Sequence, residues 1–204
     1  MALAPLIPPA RRWECGIITS MLDSILDPSP WTPSLATLRY RIETHPFDPG
    51  IPLGFTRRLA RDHGWPLPFA RGAVREYGRF CFLAVASSTP VTPSEEVDEV
   101  WHLHLTYSRD YWDVWCGAVL QAPLHHDPTP GGVAAQARFR AQYAETLSLY
   151  ECFFGPPPEA FWPATHRRFG ARARFRVVDG DAVLTLPRPG TLLRRLGIGR
   201  LRWS

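Results

Sequence analysis

The stretch VDEVWHLHLTYSRDYW, Val97–Trp112, decides how this chain is read. It follows Thr92-Pro-Ser94-Glu-Glu, where Thr92 or Ser94 is placed to cap a helix and two glutamates occupy the first turn. In a continuous helix of 3.6 residues per turn, neighbours two positions apart point about 200° apart. His102 and His104 then face opposite sides. His104 joins an inward stripe with Val97, Val100, Trp101 and Tyr111, while His102 shares the other face with Asp98, one turn earlier. A second reading comes from Ser108, which is placed to cap a new helix, RDYWDVWCGAVL, with Tyr111, Trp112, Trp115 and Val119 as packing candidates. A fresh cap implies a break before it. If the first helix ends at or just beyond His104, both imidazoles can turn to one point.

The next motif is LHHDPTPGG, Leu124–Gly132, so four of the seven histidines lie between positions 102 and 126. Imidazole nitrogens and carboxylate oxygens are the donors that bind zinc, and two histidines with one carboxylate suit ferrous iron equally. The expected ligands are His102, His104 and His126, with Asp98, His125 and Asp127 as alternative ligands or as carboxylates that hold a histidine in its tautomer. Three protein ligands plus an open position describe a catalytic ion, and four a structural one. The competing reading is a non-enzymatic interaction module in which the Asp/His/Trp cluster is structural. HExxH, GxSxG, P-loop and GxGxxG patterns are absent, so acyl transfer and nucleotide chemistry have no motif behind them. Cys116 sits among Val114, Trp115, Ala118 and Val119, surroundings that raise a thiol pKa, and it reads as a buried spectator.

Working outward, the periodicity is helical nearly throughout. Helices are predicted in GIITSMLDSILD (16–27), TPSLATLRYRIE (32–43), FTRRLARDHGW (55–65, with Gly64 as the stop), PFARGAVREYGRFCFLAVASS (68–88) and VAAQARFRAQYAETLSLYECFFG (133–155). The last of these carries Phe139, Tyr143, Leu147, Tyr150 and Phe154 on one stripe. Gly72 and Gly78 each cost the fourth helix about 1 kcal/mol relative to alanine. The tail differs: ARFRVVDGDAVLTLP centres on Asp179-Gly180, a strong hairpin signal. The expected fold is mainly α, a single helical domain with a small C-terminal β-hairpin. Residues 1–14 form a loose N-terminal segment, 15–165 the helical domain, and 166–204 a basic hairpin and tail.

Composition bounds the function. The 204 residues are 45% hydrophobic with eight Trp, enough for a sizeable core. All 23 basic residues are Arg, and ten of them follow His166 against two Asp, so an acidic partner or an anionic surface suits this end. The four cysteines are scattered with no CxxC pair, unlike a secreted disulfide framework. The proline-broken N-terminus is no signal peptide, and no run of 18 apolar residues exists, so a cytoplasmic protein without a transmembrane segment is expected.

Taken together, VTPSEEVDEVWHLHLTYSRDYW, LHHDPTPGG, a Tyr-containing helix and FFGPPPEAFWP resemble the glycine-rich domain-containing protein-like family, and its short bacterial members most closely. The resemblance runs from about Phe55 to Pro163 and is most specific over the V-D-x-V-W-H-x-H core. It implies shared positions at Asp98, Trp101, His102, His104 and Tyr111, with His126 and Asp127 in the loop, and it implies no reaction. The chain departs from the family's name, since glycine is 15 of 204 residues and no glycine-rich tract is present.

Overall fold

Pro33 sits at the first position of helix α1 (Pro33–Thr44), and the Thr32 hydroxyl accepts the Leu35 amide to cap it. Helix α2 (Phe55–His63) ends at Gly64, whose φ of 62° is the left-handed stop expected of glycine. Helix α3 (Leu67–Ala86) is followed by α4 (Glu95–Thr106), capped by Ser94 with Glu95, Glu96 and Asp98 in its first turn. A π-helix (Asp110–Leu120), α5 (Gly132–Phe154) and the short α6 (Thr165–Arg168) complete the order. The computed structural model describes residues 30–48, 53–127 and 131–170, and among these every regular element is helical. The expected hairpin around Asp179-Gly180, the helix over 16–27 and the loose segment 1–14 lie outside the described residues.

Helix α3 is the hub, touching α1, α2, α4, α5 and the π-helix. It buries Tyr77, Phe80, Cys81, Phe82 and Leu83, each large side chain contributing about 1.5–3 kcal/mol of transfer free energy. Its two internal glycines have a packing reason. A Cβ at Gly72 would overlap the Phe161 ring, and one at Gly78 would meet Ile42 Cγ2 of α1 at 3.0 Å. The helix propensity lost there permits close approach of its neighbours.

A polar cluster locks α3 to α5. Glu76, only 4% exposed, accepts from the Tyr150 hydroxyl (2.7 Å) and the Trp162 indole (2.9 Å) on Oε2. Its Oε1 accepts from Arg79 at 3.1 Å. An unpaired buried carboxylate would cost several kcal/mol, and here both oxygens have donors. Nothing in the periodicity marks Glu76, because its helix face is otherwise apolar.

The π-helix corrects the second packing expectation. With bonds from each N–H to the carbonyl five residues back, inward positions recur every four to five residues. Tyr111, the Trp115–Cys116 pair and the Val119–Leu120 pair are therefore buried. Trp112, placed inward by a 3.6 period, is 42% exposed. Gln121 ends the element with a positive φ of 56°, the left-handed region, and turns the chain into the segment that carries His125 and His126.

Candidate metal centre

Helix α4 ends at Thr106, just beyond His104, and Tyr107 leaves it with ψ 54°. Ser108 is already helical again, so it is not the cap expected of it. The two histidines therefore diverge as an unbroken helix demands. His104 is fully buried, whereas the His102 side chain is 50% exposed.

His104 is consequently no partner of His102. Its Nε2 lies 2.8 Å from Asp110 Oδ2 and its Nδ1 lies 3.0 Å from the Tyr77 hydroxyl. An ionised carboxylate only accepts, so Nε2 carries the proton and Nδ1 accepts from Tyr77. Both nitrogens are used, which excludes His104 as a ligand without breaking a buried bond. Burial lowers its pKa and outweighs the opposing pull of Asp110. His45 approaches the same Asp110 oxygen at 3.8 Å, and burial lowers its pKa too.

On the opposite face, the i,i+4 pair Asp98 and His102 meets His126. Asp98 Oδ1 lies 3.0 Å from His126 Nε2, and Asp98 Oδ2 lies 3.9 Å from His102 Nε2. The two imidazole centroids are 4.6 Å apart, and one donor atom from each of the three residues lies within 4.8 Å of the others. Ligand atoms about 2.0–2.2 Å from a common zinc ion are separated by less than about 4.4 Å, so a small side-chain adjustment closes the set. Of the residues expected from sequence, His102, His126 and Asp98 come together. His125 instead lies against Trp112, with ring centroids 5.4 Å apart, and Asp127 is exposed; neither belongs to the cluster.

The loop reaches α4 because two aromatics hold it. Trp101 Nε1 donates to the Tyr111 hydroxyl at 2.9 Å, and that hydroxyl donates to the Leu124 carbonyl. The His126 ring then packs edge-on to Trp101 with centroids 4.4 Å apart. Trp101 and Tyr111 thus set the position of an imidazole they do not resemble chemically.

Two further residues were not singled out in the sequence. Glu99 Oε2 stands 3.9 Å from His102 Nδ1 and 3.7 Å from His63 Nε2, and the His63 ring stacks on Trp65. Glu99 raises the His102 pKa, and His102 in turn lowers that of Glu99. A carboxylate on the far nitrogen of a ligating histidine fixes its tautomer and makes it a better donor. The signal available was the i,i+3 spacing of Glu99 and His102 on α4; His63, from α2, had none. Cys116 is buried with its thiol pKa raised by that burial, as expected for a spectator.

Arg167 and Arg168, the first arginines of the basic end, pair with Glu159 and Glu95. Residues 171–204, with the remaining eight, lie outside the described residues. Among the described residues no helix is long and apolar enough to cross a membrane. No protein-family model, curated protein or solved structure matches this chain.

Proposed function

We propose that this protein is a helical metal-binding module that holds one divalent transition-metal ion, zinc or ferrous iron, on Asp98, His102 and His126. The observation that carries the reading is the convergence of these three donors from α4 and the 121–127 segment. The donor set, two imidazoles and one carboxylate, fits either metal and leaves coordination positions free for an exogenous ligand. A bound ion would supply Lewis-acid chemistry at a half-exposed surface. Within the chain, Glu99 orients His102, Trp101 and Tyr111 orient His126, and His104 holds the base of α4 in the core. The motif V-D-x-V-W-H-x-H supports a kinship with the glycine-rich domain-containing protein-like family, on which the metal reading does not depend.

A second reading has one specific observation behind it: the 3.0 Å Asp98–His126 hydrogen bond is already formed by protein atoms alone. On that reading the cluster is an ion-free latch between α4 and the loop, in an interaction module whose basic end docks an acidic partner. Thermal unfolding separates the two. Chelator-treated protein is melted with and without zinc, and with ferrous ion under anaerobic conditions. A ligand present at 100 times its Kd adds about 2.7 kcal/mol of stability. Metal binding predicts a rise in melting temperature that is lost in His102→Ala and His126→Ala and kept in His125→Ala. Identical curves with chelator and with either metal would support the latch.

A further inference from the structure

On the far side of α3 from α4 lies a groove of about 310 Å³, bounded by α1, α3, the His45–Phe47 segment and the end of α5. Its floor is apolar: Ile42, Val74, Phe82 and Phe154, with Gly78 contributing bare helix backbone. The rim carries three guanidiniums, Arg39, Arg75 and Arg79, against one carboxylate, Glu43.

The three arginines are not equivalent. Arg39 is held by Glu43 at 2.6 Å and lies over the Trp31 ring, 4.9 Å from its centroid. Arg79 bonds Glu76 and the Tyr150 hydroxyl while lying 5.2 Å from the Phe154 centroid. Each is held by protein partners through one nitrogen, and their planar faces extend the apolar walls. Arg75 lies one turn before Arg79, exposed, and no hydrogen bond or ion pair holds it among the described residues. Among the described residues the groove is thus an apolar slot with one guanidinium, Arg75, that no protein group holds. His45 also lines the groove, with its Nε2 facing Asp110 Oδ2 at 3.8 Å.

We propose that this groove binds a small amphipathic carboxylic acid, its apolar body on the Phe82–Phe154 floor and its carboxylate on Arg75. Three properties select that class. The volume stands at the lower end of the ~300–1,000 Å³ range of small-molecule sites, so a short chain or one ring system fits and a two-chain lipid does not. The rim carries excess positive charge, which selects an anion. A guanidinium with no protein partner among the described residues matches a planar carboxylate in bidentate fashion. The site is separate from the Asp98–His102–His126 cluster and does not rest on it.

Calorimetric titration of the full chain with octanoate tests this, with chelator present so that no metal ion can take up the carboxylate. Octanoate should bind one to one, and 1-octanol, equal in length but uncharged, should bind at least about tenfold more weakly. Arg75→Gln should cost roughly tenfold in octanoate affinity. Arg71→Gln, which removes the same charge from an exposed position of α3 outside the groove, should leave affinity unchanged. Absence of octanoate binding by the wild type, equal binding of acid and alcohol, or an equal loss in the two variants would each overturn the proposal.

Discussion

Replacing Tyr111 by phenylalanine removes one oxygen from the molecule and tests how the proposed metal site is positioned. That oxygen accepts the Trp101 indole N–H and donates to the Leu124 carbonyl. Without it, the Trp101 N–H is left unsatisfied in a residue only 6% exposed, at a cost of about 1–3 kcal/mol. The Leu124 carbonyl belongs to a half-buried residue and can recover water, so it adds little. Tyr111→Phe should therefore lower stability by about 1–3 kcal/mol in urea unfolding of the chelated protein. The consequence for function is separate. His126 reaches Asp98 only because the loop is tied at Leu124 and its ring rests on Trp101. Freeing the tie should weaken zinc binding by roughly 10–100-fold, the usual effect of losing a support behind a ligand. Zinc affinity is read by competition with a chromophoric chelator. A stability loss of the expected size with unchanged zinc affinity would refute the claim that the Trp101–Tyr111–Leu124 chain places His126.

Other consequences are equally direct. His104→Gln should leave zinc affinity intact, since His104 faces the core; a loss matching that of His102→Ala would restore it to the ligand set. Trp101→Ala should cost about 3–5 kcal/mol in the chelated protein, measured by urea unfolding. Gly72→Ala should destabilise by about 1–3 kcal/mol because the added methyl displaces the Phe161 ring, and a gain from better helix propensity would contradict the packing argument. Burial lowers the pKa of His45 and His104, so below the ordinary value of 6.5 the unfolded chain takes up protons that the folded chain refuses. Their stabilising contribution is complete above 6.5 and is lost as pH falls toward the folded values. His102 runs the other way: Glu99 raises its pKa, so its contribution is present below 6.5 and fades as pH rises through the raised value. Urea midpoints of chelated protein between pH 8 and 5 should fall on the acid side, and His104→Gln should flatten that fall.

Local rules carried much of the helical framework. The Pro33, Ser94 and Gly64 signals mark real termini because caps and stops depend on a few adjacent residues. The opposed facing of His102 and His104 was legible from the 100° rotation per residue alone. The break before Ser108 exists, but at Tyr107, three residues past His104, which is far enough to leave the rotation rule in force at both histidines. The rotation rule therefore keeps His104 on the core side, away from Asp98, His102 and His126. The exposure of Trp112 was hidden because a sequence with a 3.6 period does not announce π-helical bonding. His126 could be named from its loop, but its choice over its neighbour His125 depends on Trp101 and Tyr111, whose hydroxyl and indole meet only in the tertiary fold. Glu76 and His63 escaped for the same reason, since the partners that matter come from other elements, whereas Glu99 offered only its i,i+3 spacing to His102.

X-ray absorption of protein loaded with one equivalent of zinc reads the ligands themselves. The metal-site account predicts two imidazoles with Zn–N near 2.0–2.1 Å, a light oxygen shell and no sulfur, and the loss of one imidazole in each of His102→Ala and His126→Ala. A spectrum with a single imidazole, with sulfur at about 2.3 Å, or with no change in either variant would contradict it.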